Sequence, residues 1–391
     1  MYRSKAFYSA AMAMAVAMSL GGAAIAQQPY KIGLSVEVTG AGAGFGPHMQ
    51  IGAEIAKDEI NAAGGVNGHP IEFVIEDNQT KPELAVSAVR NLARAGVVGI
   101  IGPLQTNQAR VAFSATNREK LVSLTPGSNV PGLAAENRPY AFRNSALLQV
   151  ITDDMVAQVR KDYPNAKRVV MVTDPKDAIQ KFFATVAAPP ALTAAGFEIV
   201  NKDSYIEIPY TDQDFSVHVT KIKALQPDVV LLSIFYDRGV DFLKEAIRQG
   251  LKTPVITPTG WILEPVARAA GDIVVYCGTS FDPYQDDAHV KAFNAEFKKR
   301  VEARLPGQYT LPAYYDAGAY ETVYMFADVL KKSGLKPDAD VQALRSALRD
   351  GLQSMKDFPG LGNKITINQE GDAIKPTLIY KTNGGQWARA K

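Results

Sequence analysis

The sequence predicts an α/β protein with two lobes, each a doubly wound parallel sheet with helices on both faces. Short runs rich in Val and Ile alternate with amphipathic segments, which is the pattern of repeated βα units. The runs form two series, at about 30–143 and 154–276, without a low-complexity linker between them. A chain of 391 residues also exceeds what one hydrophobic core usually supports. We therefore expect two lobes connected by several crossings of the chain.

Nine apolar runs are the strand candidates, and their brevity fits buried parallel strands. In chain order they are YKIGLSVEV, IEFVIEDN, VVGIIGPL, LVSLTP, RVVMVTDP, FEIVNKDSYI, DVVLLSIFY, TPVITPT and DIVVYCGTSF. Helices are predicted between them, as in RGVDFLKEAIRQG, where Val240, Leu243 and Ile247 share one face. After the last run the pattern becomes helical around 288–304 and 314–332, and the tail KITIN…PTLIYKTNGGQW alternates like a hairpin.

The first 26 residues have the pattern of a secretory signal peptide. Basic Arg3 and Lys5 precede an alanine-rich apolar stretch, which ends in the small-residue cleavage pattern around Ala24 and Ala26. The alternative is an uncleaved anchor, but the apolar stretch is short for a membrane span. We expect export and cleavage after Ala26, which leaves 365 of the 391 residues.

Composition argues against nucleic acid, metals and cofactors. Without the first 26 residues, 40 Lys and Arg face 40 Asp and Glu, whereas nucleic-acid binding favours a basic face. Cys277 is the only cysteine, and the four histidines are scattered, so no metal-ligand spacing is present. Within DIVVYCGTSF, Cys277 is predicted to be a buried small hydrophobe.

Ligands of open α/β sheets bind beyond the carboxyl ends of the strands. Two lobes that face each other would place two sets of such loops across one cleft. The candidate loops are 39–46, 103–107, 125–129, 174–178, 236–239 and 257–261.

The glycine-rich loop TGAGAGFG at 39–46 is not a nucleotide motif. The offsets of G-x-G-x-x-G fail from Gly40, where Phe45 occupies the last position, and from Gly42, where Pro47 does. The loop is either a tight connection or a turn whose amides receive an anionic or polar group. No G-x-S-x-G elbow occurs and no histidine lies near an obvious nucleophile, so we do not expect an enzyme.

Three stretches, in order, carry a family resemblance: KIGLSVEVTGAGAGFG…EINAAGGVNGHPIEFVIEDN, GVVGIIGPLQTNQA and LVSLTPGSN. The sequence resembles the branched-chain amino acid type of periplasmic substrate-binding protein over essentially the whole mature chain. The resemblance implies the type I fold, with lobe 1 at 27–147 plus 277–357, lobe 2 at 148–276 plus 358–391, and a three-crossing hinge. It also implies a monomeric periplasmic receptor that closes on a small ligand and delivers it to the permease and ATPase subunits of an ABC importer.

The resemblance implies hydroxyl contacts to a ligand carboxylate from Thr106 and Ser128, beside the backbone at 126–127. It also implies one aromatic contact from each lobe, at Phe45 and at Phe235 or Tyr236. Together with the aromatic pattern, this gives the candidate ligand-binding residues Phe45, Gln105, Thr106, Pro126, Gly127, Ser128, Leu148, Ala178, Phe235, Tyr236, Thr259 and Trp261.

Several family positions are changed in this chain. Acidic side chains that hold the ligand ammonium group in the family are matched by Leu148 and Thr259, and a tyrosine is matched by Ala178. Thr80 and Gln105 stand where the family sometimes has a disulfide. Alternatives for the acidic partner are Asp174, Asp177 and Asp237.

These losses predict a ligand without an α-amino group, because a buried ammonium with no acidic partner costs several kcal/mol of desolvation. The aromatic side chains predicted to wall an apolar or aromatic body are Phe45, Phe235, Tyr236, Trp261 and Tyr284. We expect an organic acid such as a benzoate- or cinnamate-like compound. The alternatives are a receptor for branched-chain amino acids, other amino acids or amides, and an exported α/β enzyme.

Overall fold

Two large β-sheets flanked by helices form the body of the protein. The computed structural model describes residues 27–390, so the signal peptide predicted at 1–26 lies outside the described residues. The strands are β1 (Tyr30–Val36), β2 (Ile71–Asp77), β3 (Gly99–Ile101), β4 (Val122–Thr125), β5 (Ala141–Arg143), β6 (Arg168–Thr173), β7 (Glu198–Ile199), β8 (Ile206–Glu207), β9 (Val229–Ser233), β10 (Val255–Ile256), β11 (Val275–Thr279), β12 (Phe358–Pro359), β13 (Lys364–Ile367), β14 (Ala373–Ile374), β15 (Leu378–Asn383) and β16 (Gln386–Arg389).

Helices connect most of these strands. They are α1 (Gly46–Ala62), α2 (Pro82–Arg94), α3 (Thr106–Glu119), α4 (Leu148–Asp162), α5 (Ala178–Phe182), α6 (Ala188–Ala194), α7 (Ser216–Ala224), α8 (Tyr236–Arg248), α9 (Glu264–Ala270), α10 (Ala288–Arg304), α11 (Tyr314–Ser333) and α12 (Val341–Gln353). A π-helical turn at Phe183–Ala187 joins α5 to α6. The long buried helix α11 packs against α1.

The first sheet has the strand order β2-β1-β3-β4-β5, and all its pairs are parallel. The second sheet has the order β16-β15-β11-β10-β9-β6-β7, with β8 beside β6. Its pairs are parallel except for β15, which is antiparallel to β11 and β16. This agrees with the predicted α/β class, because the apolar runs are buried parallel strands as their composition indicated.

The tail departs from the prediction of a single hairpin. Strand β13 pairs with β12 and β14 in a small antiparallel sheet, whereas β15 pairs with β16 and with β11 of the second sheet. The two alternating segments therefore join different sheets. Alternation shows that a segment is extended and half-buried, but it does not identify the partner strand.

The chain passes between the two sheets after β5, after β11 and after β14. Buried ion pairs stabilise the first and third crossings. Arg143 Nε lies 2.6 Å from Asp372 Oδ1, and Lys375 Nζ lies 2.5 Å from Glu321 Oε2. The predicted boundary between lobes at 276 falls within β11, and the assignment of residues to lobes remains a proposal.

Cys277 is buried in β11, as predicted, with its Sγ 3.2 Å from the carbonyl oxygen of Pro258. Burial raises the pKa of the Cys277 thiol to about 12. Between residues 27 and 390, no three His, Cys, Asp or Glu side chains cluster as a metal site would require. Over the same range, no helix is both long and apolar enough to cross a membrane.

Candidate ligand-binding cleft

The carboxyl ends of parallel strands from both sheets meet at one cavity. Its volume is about 480 Å³, including the part open to solvent. The first-sheet wall follows β1, β3 and β4 and consists of Phe45, Leu104, Gln105 and Gly127. The second-sheet wall follows β6, β9 and β10 and consists of Ile179, Gln180, Phe235, Tyr236, Thr259, Gly260 and Trp261. Tyr314 and Tyr315, at the start of α11, complete the lining, and the arrangement is the one expected of a ligand site in open sheets.

Phe45 joins the two walls through an aromatic cluster. Its ring centroid lies 5.8 Å from that of Phe235, 5.2 Å from Tyr236 and 5.8 Å from Tyr315. These are separations at which aromatic pairs attract each other through their edges and faces. Phe45 immediately precedes α1 as its N-cap residue, so the glycine-rich loop and the helix together fix where its ring points.

The glycines of loop 39–46 allow close packing over Glu37, just after β1. A Cβ at Gly42 would lie 2.6 Å from the Glu37 Cβ, and one at Gly46 would lie 2.2 Å from the Glu37 carbonyl oxygen. The amides of Gly42 and Phe45 donate hydrogen bonds inside the protein. These two amides are therefore not available to a ligand, and ligand contact by the other amides of the loop remains a prediction.

The Glu37 carboxylate stabilises the turn that precedes α3. Its Oε1 accepts hydrogen bonds from the backbone N–H groups of Leu104 at 3.2 Å and Gln105 at 3.3 Å. The side chain is fully buried. Burial raises the pKa of Glu37 to about 7, although the backbone hydrogen bonds act in the opposite direction. At neutral pH the group is therefore divided between its charged and neutral forms.

Gln105 lines the cavity, and its side-chain amide is an unpaired donor. Gln105 is only 9% exposed, and its Nε2 has no hydrogen-bond partner. It is the N-cap residue of α3, but its side chain does not cap the helix. A buried unpaired amide is unfavourable, and a helix N-terminus is partly positive. An oxygen anion in the cavity would accept a hydrogen bond from the Gln105 amide and would be attracted to the amino end of α3.

Thr106 and Ser128 lie close together but do not line the cavity. Their hydroxyl oxygens are 2.7 Å apart, and both residues are buried. They follow Gln105 and Gly127, which do line it. Pro126 is likewise absent from the lining. Direct carboxylate binding by the two hydroxyl groups remains a prediction.

The structure does not bring Leu148 or Ala178 to the cavity. Leu148 begins α4 and packs in the core with Met155 and Val156. Ala178 begins α5, one residue before Ile179, which does line the cavity. Side-chain contact with a ligand remains a prediction for both residues, since only their chain neighbours are placed at the site.

The three alternative acids do not line the cavity, and each is bonded elsewhere. Asp174 accepts from the backbone of Lys176, and Asp177 caps α5 through the N–H groups at 179–180. Burial raises the pKa of Asp177 to about 6. Asp237 accepts a 2.9 Å hydrogen bond from the Tyr210 hydroxyl. Of the described residues that line the cavity, none is Asp or Glu.

Thr259 connects the two walls through neutral groups. Asn129 Nδ2, from the loop after β4, donates to Thr259 Oγ1 at 3.0 Å. Beside it, the Tyr314 hydroxyl donates to the carbonyl oxygen of Gly127 at 2.8 Å. Thr259, which the resemblance matched to an acidic residue of the family, is thus hydrogen-bonded to the side-chain amide of Asn129.

Trp261 is almost fully buried within the second-sheet wall. Its Nε1 donates to the carbonyl oxygen of Ile234 at 3.1 Å. A Cβ at Gly239 would lie 1.9 Å from the Trp261 ring, so only glycine allows the indole to lie this close to α8. The ring is therefore fixed in position by both a hydrogen bond and a close backbone contact.

Sequence reasoning missed six lining residues: Leu104, Ile179, Gln180, Gly260, Tyr314 and Tyr315. An adjacent tyrosine pair at the start of a predicted helix was the signal available for the last two. Tyr284 does not form a wall, because it is 48% exposed and packs against Tyr380. Tyr309 lies behind the lining, where it stacks on His48 at 3.8 Å.

The fold and the cleft together define a protein that encloses a small solute between two sheets. The chain belongs to the periplasmic binding protein family, whose profile it matches over residues 29–386. The family consists of solute-binding proteins rather than enzymes and implies an exported, periplasmic protein.

Relatives and solved structures agree with this assignment. The Leu/Ile/Val-binding protein BraC3 of Rhizobium johnstonii is 26% identical over 384 residues, covering 95% of this chain and 97% of the relative. LivJ of Streptococcus pneumoniae, solved with isoleucine, has 23% identity and a TM-score of 0.77, covering 93% of this chain and 100% of that one. A solute-binding protein of R. palustris, solved with 4-hydroxybenzoate, has 19% identity and a TM-score of 0.77, covering 93% and 96%. The predicted two-lobe type I fold is confirmed.

Proposed function

We propose that this protein closes its two lobes on a small aromatic carboxylate without an α-amino group and presents it to the permease and ATPase subunits of an ABC importer. One observation carries the proposal. The cavity has aromatic rings from both walls and an unpaired Gln105 amide, while no acidic side chain occurs among its described lining residues.

The apolar body of the ligand would lie against the cluster formed by the rings of Phe45, Phe235 and Tyr236. Each aromatic pair contributes about 0.5–1.5 kcal/mol beyond the burial of its area. The carboxylate would accept from Gln105 Nε2 near the amino end of α3, where a charged acceptor makes a hydrogen bond worth about 1.5–3 kcal/mol.

An α-amino group would have no counter-charge at this cavity. Asp316, beside Tyr315, is fully buried, and its Oδ2 accepts from the Ala313 amide and the Tyr309 hydroxyl. Burial raises the pKa of Asp316 well above its usual range, which disfavours a negative charge on this carboxyl group. A buried ammonium would therefore lose its hydration without gaining an ionic partner.

The comparisons offer support for two ligand classes. Two R. palustris proteins of similar fold were solved with 4-hydroxybenzoate and with benzoate, the second at 20% identity and a TM-score of 0.77. Relatives named for leucine, isoleucine and valine binding cover nearly the whole chain, and they make amino acids the second candidate. The absence of acids from the described lining favours the first class.

Matched ligand pairs that differ only in the amino group test the proposal. Thermal unfolding of the mature protein would be followed with phenylalanine against 3-phenylpropanoate, with leucine against 4-methylpentanoate, and with benzoate. We expect the deaminated member of each pair to stabilise more. A ligand present at a hundred times its Kd adds about 2.7 kcal/mol to the free energy of unfolding.

The same samples separate a receptor from an enzyme. A receptor returns the bound acid unchanged after overnight incubation, as chromatography of the supernatant would show. Greater stabilisation by leucine or phenylalanine than by the matched acid would contradict the proposed ligand class. Conversion of any acid by the purified protein would contradict the receptor function.

A further inference from the structure

Glu37 is a buried carboxyl group whose role the proposed function leaves open. It follows β1, and its Oε1 accepts hydrogen bonds from the backbone amides of Leu104 and Gln105. Both of these residues line the cavity. A Cβ at Gly42 would lie 2.6 Å from the Glu37 Cβ and 2.8 Å from Gln105 Nε2. Gly42 therefore packs against both side chains.

We infer that Glu37 is the positioning residue of the first-sheet wall: its carboxyl group fixes the turn that directs the Gln105 amide at the ligand and, by exchanging a proton, makes the affinity for a carboxylate depend on pH. This inference rests on the proposed function, since it requires an anionic ligand at Gln105.

The affinity would depend on pH because the ligand carboxylate and the Glu37 carboxyl group would both lie at the turn that precedes α3. A like charge nearby disfavours ionisation, so a bound carboxylate raises the pKa of Glu37 further. By linkage, the ligand then binds the protonated protein more tightly, and its affinity falls as pH rises through neutrality. The raised pKa of Glu37, about 7, places this change between pH 6 and pH 8. The ligand carboxylate stays ionised there, because ordinary carboxyl groups titrate near about pH 4.

Few other titratable groups adjoin Glu37. The segments packed on it are loop 39–46, the residues around Asn78, and the turn at 103–105, none of which carries an ionisable side chain. Asp77 and Lys81 flank the second segment and His48 follows the first. Hydrogen bonds lower the pKa of Asp77, and burial lowers that of His48 to about 4, so neither group titrates near pH 7.

The test is the pH profile of Kd for benzoate and 3-phenylpropanoate, measured by calorimetry from pH 6 to pH 8. For the wild type we expect Kd to rise about fivefold if the ligand raises the Glu37 pKa by one unit. Glu37→Gln keeps an oxygen that accepts the two amides and removes the charge, so its profile should be flat, with wild-type affinity at pH 6. Glu37→Ala removes both the accepting oxygen and the charge, and we expect Kd to rise tenfold or more at every pH.

Asp177→Asn is the matched control, because Asp177 also has a raised pKa but caps α5 and does not line the cavity. Asparagine is an equally good helix N-cap, so this variant should keep the wild-type pH profile. Identical profiles for wild type and Glu37→Gln, with binding intact, would overturn the inference alone. A failure of both acids to bind at any pH would overturn the proposed function and this inference together.

Thermal unfolding without ligand gives an independent readout. Glu37 titrates near about 4.3 in an unfolded chain and higher in the folded protein, so the stability of its buried neutral form is lost as pH rises. We expect the Tm of the wild type to fall relative to that of Glu37→Gln between pH 5 and pH 8. A constant difference would contradict the burial of Glu37 as a titrating group.

Discussion

The two walls of the cleft are built in the same way but offer different chemistry. Each follows the carboxyl ends of three parallel strands. In the first-sheet wall, the buried Gln105 amide has no partner, and two hydroxyl groups lie just behind it. In the second-sheet wall, Trp261 Nε1 donates to a backbone carbonyl and Gln180 Oε1 accepts from Ser233. The first wall therefore has an unpaired buried donor, whereas the second contributes the aromatic rings of Phe235, Tyr236 and Trp261.

This difference indicates that the two walls would recognise different ends of a ligand that has one polar and one apolar end. The polar end needs a donor that is buried, because a hydrogen bond to a charged acceptor is strongest away from water. The apolar end needs rings that are fixed, because mobile side chains lose entropy when they bind. Variants of one wall at a time should therefore separate the loss of charge recognition from the loss of apolar contact.

Removal of the Trp261 ring should produce the largest effect. The side chain is buried and fits against Gly239, so Trp261→Ala leaves a cavity that α8 and its neighbours cannot fill. We expect the free energy of unfolding to fall by about 3–5 kcal/mol, as measured by denaturant titration, and binding of aromatic acids to be lost.

Trp261→Phe is the control for that prediction, because it keeps an aromatic ring but removes the hydrogen bond to Ile234 and part of the indole volume. Its cost should be nearer the 1–3 kcal/mol of one unsatisfied buried carbonyl group, roughly. A loss below about 1 kcal/mol for Trp261→Ala would contradict the view that the second-sheet wall is a rigid apolar surface.

Sequence patterns predicted the architecture better than the lining of the site. The apolar runs become parallel strands, and five of the six predicted loops contribute to the walls, because strand order in an α/β fold fixes where the loops gather. The loop at 174–178 contributes no lining residue. FEIVNKDSYI departs from its prediction of one strand, since β7 lies within it and β8 begins only at its last residue, Ile206. Such short pairings depend on β6 beside them, which local composition does not reveal.

The site residues that were missed depend on tertiary contacts. Tyr314 and Tyr315 are far from the strand ends in sequence and reach the cavity only because α11 packs on α1. Glu37 has the sequence context of an exposed residue after a strand, yet the glycines of loop 39–46 enclose it completely. For Leu148 the alignment implied a ligand contact and the fold places the side chain in the core, so contact with a ligand remains a prediction.

Phe45 offers a second way to test the comparison, because it belongs to the first-sheet wall but contacts rings of the second. Phe45→Ala removes contacts with Phe235, Tyr236 and Tyr315 at once. We expect calorimetry to show a loss of affinity for 3-phenylpropanoate of about 2 kcal/mol, roughly thirtyfold in Kd. Tyr284→Ala removes a ring outside the cavity and should leave Kd unchanged; equal losses in the two variants would contradict the role of the cluster.

Gln105→Leu should change stability and affinity in opposite directions. The substitution removes a buried amide that has no partner, so the free energy of unfolding of the ligand-free protein should stay constant or rise slightly. The carboxylate loses a donor, and we expect Kd for benzoate to rise about tenfold, or 1.4 kcal/mol. Unfolding titrations and calorimetry on the same preparation measure both quantities.

Gln108→Leu is the matched control on the same helix. Gln108 is also buried, but its Nε2 donates to the carbonyl oxygen of Thr80 and the residue does not line the cavity. This variant should lose stability and keep its affinity, the reverse of Gln105→Leu. An unchanged Kd in Gln105→Leu would remove that amide from the site and leave the hydroxyl pair of Thr106 and Ser128 as the carboxylate donors.

The smallest effect is expected for Asp316→Asn, which tests whether a hidden counter-charge lies beside the cavity. Burial raises the pKa of Asp316 well above its usual range, so the neutral form of the wild-type group is favoured. The substitution should therefore change Kd for 3-phenylpropanoate by less than about threefold.

The pH dependence of the stability has a definite sign: a raised folded-state pKa of Asp316 means that stability is lost as pH rises above about 4. The variant should gain stability relative to the wild type from pH 4 to pH 8 in thermal unfolding. If Asp316 were ionised, removing its charge would strengthen carboxylate binding tenfold or more. That result would contradict a cavity without a negative counter-charge, which the comparison of the two walls assumes.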